Sequence, residues 1–487
     1  MFLNKSNLYT IECETLRKPT VAMLHFPEKV LQFGTGVLLR GLPAYFIDQA
    51  NSKGIFKGRV VVVKSTSQGD LKSFISQDNL YTLCVEGIQN GEITQQYEIN
   101  ASISRVLSAN EQWAEVLATV EQESLEIIIS NTTEVGIQKV SEPMFSQVPT
   151  SFPGKLLRLL HHRYTYFSGA LDKGMVILPT ELISNNADML KAIVLELAAE
   201  EELDDAFLSW LSEANYFCNT LVDRIVPGKL SALTQQDRAQ KLGYNDSLMI
   251  MAEPFRLWAI ETSSPKVRSI LSFSQADEGV KIVGDIHKFK ELKLRLLNGT
   301  HSLCCAYALY NGFDTVREAM ENADFRAFIQ TLMFEEIAVA IESEELSAQE
   351  CKEFAESVID RFSNPFLAHR WASITLNYSS KMHLRTVAIL KSYVARKGSL
   401  PTKFVQGFAA YIQFMCSQKE GANYFAVVRG NMIPLQDEQA AKFYNYWKSP
   451  ATVVTNVLGD SSLWGEDLTR IAGFVEAIEL ALKEFQK

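Results

Sequence analysis

Continuous apolar runs of strand length recur through the first half of the chain: Lys29 to Phe33 (KVLQF), Arg59 to Val63 (RVVVV), Leu125 to Ile129 (LEIII) and Met175 to Leu178 (MVIL). A strand that is apolar at nearly every position, instead of at alternate ones, is covered on both faces, as in a parallel sheet flanked by helices. After the last of these runs, Leu190, Ile193, Val194 and Leu197 fall at i, i+3, i+4 and i+7, the stripe of an amphipathic helix, with Asn186 as its predicted cap. Strands alternating with such helices predict an α/β domain with a parallel sheet and crossover connections. From about residue 280 the strand-like runs stop and helical spacing takes over. Ser347 to Glu350 (SAQE) has the form of a capping box, and Asn364-Pro365 should stop the helix it opens. Leu468, Ile471, Val475, Ile478 and Leu482 trace a last amphipathic helix. The pattern predicts two domains, an α/β domain over residues 1–280 and a mostly α-helical one over 281–487, as suits a chain too long for a single core.

Composition narrows the classes of function. A net charge of −10 without any long block of lysine or arginine argues against a sequence-independent grip on phosphate backbones, so nucleic acid is not an expected partner. The seven cysteines, Cys13, Cys84, Cys218, Cys304, Cys305, Cys351 and Cys416, are odd in number and form no CxxC pair. Neither a disulfide framework nor a thiolate zinc site is indicated, which points to a reducing compartment. No apolar run approaches the roughly 18 residues that a membrane span needs, and the N-terminus lacks the layout of a signal peptide. The expectation is a cytoplasmic protein with no membrane partner, and nothing in the pattern fixes its oligomeric state.

The segment VLQFGTGVLLRG places Gly34 and Gly36 directly after the first strand, where a tight turn and close approach to a pyrophosphate both require a missing Cβ. The third glycine of a dinucleotide fingerprint would fall at position 39, which is leucine, and an ordinary strand-to-helix turn would carry the same two glycines. A strand of four valines at the βαβ distance favours the cofactor reading. The carboxylate expected to end that strand on the adenosine ribose is absent; the chain reads Lys64-Ser65-Thr66, which leaves NAD against NADP open, Lys64 being suited to the phosphate form. Asn131-Thr132-Thr133-Glu134 and Pro179-Thr180-Glu181 are polar clusters at strand carboxyl ends, where open sheets place ligands. The candidate cofactor residues are therefore Phe33, Gly34, Thr35, Gly36, Lys64, Asn131, Thr133 and Glu134.

Polar groups also interrupt a leucine-rich helix at KLRLLNGTH, Lys293 to His301. At about 100° per residue, Lys293, Leu297, His301, Leu294 and Asn298 share one arc of about 140°, and Arg295 points away. Burial among leucines penalises an ammonium, which is how a lysine becomes a usable base near neutral pH. Removing hydride from a secondary alcohol needs the hydroxyl proton taken and the oxygen stabilised. Lys293 has the chemistry for the first task, Asn298 for the second, and His301 for orienting a neighbouring hydroxyl. A snorkelling lysine with a structural asparagine and histidine would give the same spacing. No cysteine and histidine cluster offers the zinc alternative, so no metal is expected.

Lys293, Asn298 and His301 match the K-x4-N-x2-H signature of the polyol-specific long-chain dehydrogenases, the mannitol dehydrogenase family. VLQFGTGVLLRG resembles the family's opening turn; Val222 to Pro227 (VDRIVP) resembles its VDRI-x-P segment, and Glu253-Pro254-Phe255 with Trp258 its EPF-x2-W segment. Arg361 to Pro365 (RFSNP) and Ser379-Ser380-Lys381 continue the resemblance, which spans about residue 30 to the end. It implies a Rossmann-type nucleotide-binding domain followed by a mostly α-helical C-terminal domain, an active site between them, NAD as cofactor and no metal. It implies Lys293 as general base, Asn298 in the oxyanion site, His301 on substrate, and Asp223 and Lys381 as contacts to substrate or supports of the site.

Departures bear on substrate. Pro179-Thr180-Glu181-Leu182 stands where polyol-oxidising members show Ser-Cys-Asp-Asn, so their second oxyanion asparagine is missing at Leu182, and an arginine expected eight positions before Lys381 is Ser373. With Asn131 to Glu134 and Ser373 to Lys381 (SITLNYSSK), these resemble the uronate branch of the family, which implies a small anionic sugar-acid substrate. A cation must then meet the carboxylate, and Lys381, Arg370 and Arg385 are the candidates.

Overall fold

A computed structural model of the chain describes residues 1–65, 71–132, 136–145 and 147–485. The chain divides into two compact units, Met1–Glu86 with Thr94–Ile286, and Gly87–Ile93 with His287–Lys487.

The first unit is built on six parallel strands: β1 (Glu28–Phe33), β2 (Arg59–Lys64), β3 (Ile103–Ser108), β4 (Ile127–Ser130), β5 (Val176–Pro179) and β6 (Tyr216–Phe217). Their order, 3-2-1-4-5-6, is that of a Rossmann-type dinucleotide-binding sheet. The apolar runs are explained by burial on both faces. Val30, Val60, Val62, Ile127 and Ile129 pack to one side with Phe46 and Ile47 of the helix Pro43–Ser52; Leu31, Val61, Val63 and Ile128 pack to the other with the helices Phe152–Tyr166 and Asn186–Glu200. Each such side chain contributes about 1.5–3 kcal/mol relative to exposure.

The four expected strands are present, with ends shifted by one or two residues. The helix expected after Asn186 begins at that residue, but its cap position is Asn185 in the left-handed region; the Asn186 amide turns inward to the carbonyls of Pro179, Glu181 and Thr220. β3 is hidden in the sequence because Arg105 interrupts it, and its guanidinium forks onto both carboxylate oxygens of Glu28, each at 2.9 Å. A second, three-stranded sheet (Thr220–Asp223, Leu257–Glu261, Val280–Val283) sets Val222 opposite Trp258.

The second unit is mostly helical. α1 (Thr300–Tyr310) is buried on nearly every side, and α4 (Thr402–Phe414) lies so close to it that a Cβ on Gly407 would come within 2.4 Å of the Leu303 carbonyl oxygen. α2 (Ala348–Phe362) opens with the expected Ser347–Glu350 capping box and ends ahead of Asn364-Pro365. α3 (Tyr378–Lys397) is the longest helix, and α5 (Phe474–Leu482) is the terminal one. α5 is shorter than the apolar spacing predicts: Gly473 at φ 74° interrupts it, leaving Leu468–Arg470 as a separate 3-10 turn. An antiparallel meander, Ser417–Glu420, Asn423–Val428 and Asn431–Pro434, is a strand element within this mostly helical unit, and the apolar pattern did not single it out. Among the described residues no helix is long and apolar enough to cross a membrane.

Candidate functional site

In the first unit, the turn after β1 is stitched to both neighbouring strands. The Gly34 N–H donates to the Val63 carbonyl at 3.0 Å and the Asn131 N–H donates to the Phe33 carbonyl at 3.1 Å. The turn thus sits where the strand order reverses, the crevice in which open α/β sheets bind ligands. Gly34 has φ +120°, and a Cβ there would stand 2.8 Å from Leu39 Cδ1 and 3.1 Å from the Asn131 carbonyl oxygen. Leu39 at the position of the missing third glycine therefore packs onto Gly34. Gly36 is different: it is exposed at φ −60°, and a Cβ would meet nothing within 4 Å. The main chain at Gly36 accordingly has open space on the flank a pyrophosphate would need, so the turn fits a dinucleotide.

The other predicted cofactor residues separate into several groups. Phe33 is fully buried against Phe152, with ring centroids 5.1 Å apart, and offers only its main chain. Thr35 and Lys64 are half-buried, Lys64 at the end of β2 opposite Ser108. The Asn131 amide is committed to the end of β5, donating to the Thr180 carbonyl and hydroxyl at 3.0 Å each. Thr133 and Glu134 lie outside the described residues. Two supports were not foreseen. Gln32, a buried polar residue within the apolar β1, donates to the Gly34 carbonyl at 3.0 Å. Glu181 is buried and accepts from the Thr132 N–H, the Thr132 hydroxyl and the Ser130 hydroxyl, tying the end of β4 to the end of β5; burial pushes its carboxyl above the ordinary range. Leu182 is 60% exposed.

The VDRIVP and EPF-x2-W motifs meet in this unit. Arg224 is buried, donates to the Glu253 carbonyl at 2.9 Å and the Gly41 carbonyl at 2.6 Å, and lies over the Tyr45 ring at 4.4 Å. Glu253 accepts from the Ile225 N–H at 2.6 Å, and Trp258 stacks on Phe273. These motifs lock the helix that follows the glycine turn to the second sheet. Asp223 is buried at the end of its strand.

In the second unit, Lys293 and Asn298 stand in a π-helical segment, Leu292–Gly299, continuous with α1, which carries His301. The sequence spacing assumed α-helical turns throughout. The wider i→i+5 turn narrows the angle between Lys293 and Asn298, five residues apart, and such segments are frequent at functional sites. Both side chains are half-buried, not the fully buried groups that the leucines suggested.

His301 is buried, with 8% of its surface exposed. Its ring stacks on Phe362 at 4.3 Å and meets His369 at 5.1 Å and Trp371 at 6.1 Å edge-on. Its Nε2 has no hydrogen-bond partner among the described residues. Burial, followed by His369, Arg385, Arg361 and Lys381, holds its pKa well below that of a free imidazole, so the ring is neutral near pH 7. Lys381 donates to the Ile374 carbonyl at 3.0 Å, and Arg385 Nη1 donates to the Ser302 hydroxyl at 3.0 Å and the Asn298 carbonyl at 3.4 Å. Burial depresses both cations, and Arg385 further depresses Lys381. Arg370, by contrast, is exposed at the start of the short helix Trp371–Ile374. Arg361 and His369 were not singled out by sequence as site residues; the RFSNP segment was the only signal for the first, and none marked the second.

A neutral histidine with a ring nitrogen that has no partner among the described residues, near Lys381, Arg385 and Arg361, has the chemistry to hold a hydroxylated anion. Comparisons with known proteins identify the family. Residues 28–271 match the mannitol dehydrogenase Rossmann domain, and residues 285–486 match the mannitol dehydrogenase C-terminal domain. Altronate oxidoreductase of Halalkalibacterium halodurans is 36% identical over 469 residues, covering 94% of this chain and 90% of its own length. Altronate oxidoreductase of Bacillus subtilis is 36% identical, with 95% and 93% covered. Among solved structures, the ternary complex of Pseudomonas fluorescens mannitol 2-dehydrogenase with NAD and D-mannitol superposes with a TM-score of 0.72 at 20% identity, covering 100% of this chain and 97% of its own. A substrate-free D-sorbitol dehydrogenase gives 0.79 at 18%, with 100% and 98% covered. Two family domains in sequence, and relatives above 30% identity along nearly the whole length, account for the strand order, the glycine turn and the lysine, asparagine and histidine together: the chain belongs to the mannitol dehydrogenase family.

Proposed function

We propose that this protein is an NAD-dependent oxidoreductase that interconverts D-altronate and D-tagaturonate, a tagaturonate reductase of hexuronate breakdown. The observation that carries the reading is the buried, unpartnered His301 Nε2 set among Lys381, Arg385 and Arg361, a combination suited to a hydroxylated anion and wasteful for an uncharged ligand. The relatives named altronate oxidoreductase support the same substrate. The first unit serves as the dinucleotide-binding domain, with Gly34, Thr35 and Gly36 at the pyrophosphate, Lys64 toward the adenosine ribose, and Phe33, Asn131, Thr133 and Glu134 around them. The second unit serves as the substrate domain.

NAD supplies the hydride acceptor when bound. The chain supplies the rest. Lys293 takes the hydroxyl proton as the carbinol carbon loses hydride, and Asn298 donates its amide hydrogens to the oxygen as charge develops there. His301 engages a neighbouring hydroxyl through Nε2. Lys381 and Arg385 face the carboxylate, with Arg370 a more distant candidate, and Asp223 supports the site. With Leu182 unable to replace the family's second asparagine, Asn298 carries the oxyanion alone or with a group not yet assigned. The seven unpaired cysteines suit the cytoplasm.

The test is NADH absorbance with altronate, mannonate and mannitol, each with NAD and with NADP. Activity confined to mannitol refutes the uronate assignment and leaves a polyol dehydrogenase, the activity named for the solved structural neighbours. Activity confined to mannonate makes the protein a fructuronate reductase.

A further inference from the structure

α3 presents Lys381 and Arg385 at i and i+4, the spacing at which like charges repel. Neither takes part in an ion pair among the described residues, although the chain carries 57 aspartates and glutamates. Arg385 is half-buried, and its protein partners among the described residues are neutral: the Ser302 hydroxyl and the Asn298 carbonyl, both met by Nη1. Its Nε and Nη2 edge makes no hydrogen bond among the described residues. Even partial burial of a guanidinium without a counter-charge carries a desolvation cost, which an anionic ligand completing the pair would offset. That remaining edge has the two parallel N–H groups that match the two oxygens of a carboxylate.

We infer that Arg385 is the residue that selects an acid over a polyol, receiving the substrate carboxylate on its Nε and Nη2 edge while Ser302 and the Asn298 carbonyl fix the guanidinium through Nη1. The assignment rests on the proposed uronate activity and adds to it the group that distinguishes charge. It also ties recognition to chemistry, since the carbonyl that anchors Arg385 belongs to the asparagine proposed to stabilise the reacting oxygen. A lysine in its place would supply charge without the fork.

The experiment compares kcat/KM for altronate with that for altritol, its uncharged counterpart, or their inhibition constants where altritol does not turn over. The wild type, Arg385→Met and Arg385→Lys are measured side by side. The preference for altronate over altritol should fall about 100-fold in Arg385→Met, as the loss of a bidentate charged contact implies, with Arg385→Lys in between. An unchanged preference in Arg385→Met overturns the inference. Should that variant fail to fold, phenylglyoxal labelling of the wild type decides: altronate, and not altritol, should protect Arg385 from modification as read by peptide mass spectrometry. Absence of altronate-specific protection overturns the inference equally. A wild type inactive on altronate brings down the parent reading and the inference with it, whereas an active wild type whose Arg385→Met variant keeps its preference brings down the inference alone.

Discussion

Gly34 and Gly36 lie two residues apart in one turn, and the structure predicts opposite consequences for filling them. Gly34→Ala places a methyl 2.8 Å from Leu39 Cδ1 at a backbone angle of φ +120°. Backbone strain of about 1–3 kcal/mol and overpacking of about 1–3 kcal/mol add to a loss of roughly 2–6 kcal/mol in stability of the first unit. Gly36→Val occupies open space at an ordinary φ of −60°. Its stability should change by no more than about 1 kcal/mol, the lost freedom of the unfolded glycine offsetting a poorer helix cap. Its effect should fall on the cofactor instead. If the main chain at residue 36 meets the pyrophosphate, a branched side chain there removes one or two charge-assisted hydrogen bonds, about 2–4 kcal/mol, or a roughly 30- to 1,000-fold weaker NADH affinity. Urea unfolding followed by circular dichroism reads the first quantity, and NADH fluorescence titration reads the second. A Gly36→Val protein of ordinary stability that binds NADH as tightly as the wild type would falsify the placement of the pyrophosphate at this turn. A Gly34→Ala protein within about 0.5 kcal/mol of wild type would show that Leu39 does not pack as described.

Three further outcomes test other parts of the structure. Lys293→Ala should lower turnover by roughly 10²- to 10⁴-fold with NADH affinity retained; turnover within a few-fold of wild type removes the lysine from the role of base. Arg224→Met leaves the Gly41 and Glu253 carbonyls without their buried donor and should cost about 2–5 kcal/mol in urea unfolding, a loss that Arg224→Lys recovers only in part. His301 is held neutral in the folded chain, whereas the unfolded imidazole takes up a proton below about pH 6.5, so the unfolded state binds more protons there. Its contribution to stability is present above pH 6.5 and is lost as pH falls, at up to about 1.4 kcal/mol per unit; His301→Asn should flatten that share of the slope in unfolding midpoints taken between pH 7.5 and 5.

The parts of the fold that the sequence made legible were those whose burial is complete. β1, β2, β4 and β5 announce themselves because both faces of the sheet are dry, so hardly a polar position interrupts them. β3 stayed hidden because Arg105 is polar yet satisfied by Glu28, and a pattern of hydrophobicity cannot see a partner 77 residues away. Capping chemistry is local and was read correctly at Ser347 and Glu350; the start of the last helix depended on one glycine, Gly473, which the apolar spacing ran through. In the meander at 417–434 the middle strand, Asn423–Val428 (NYFAVV), does carry an apolar run, but its partners Ser417–Glu420 (SQKE) and Asn431–Pro434 (NMIP) are short and mostly exposed and give no strand signal.

The site was legible in its residue types and not in its environment. Lys293, Asn298 and His301 are marked by being polar among leucines, but the wheel that grouped them assumed α-helical turns, and the π-helical segment regroups Lys293 and Asn298 for a reason that spacing alone does not contain. The lysine is less buried than the leucines imply, and the most deeply buried of the three is the histidine. That shifts the weight of desolvation from the proposed base to the proposed substrate-binding group. A neutral, buried imidazole beside Lys381 and Arg385, neither of which is ion-paired among the described residues, gives the proposed substrate site a local positive character in a protein whose net charge is −10. On the proposed uronate reading, local cations set against a net acidic chain would favour an acid at the site, and nothing in the linear order of residues discloses that Phe362, His369 and Arg385 come from separate stretches to surround or flank His301.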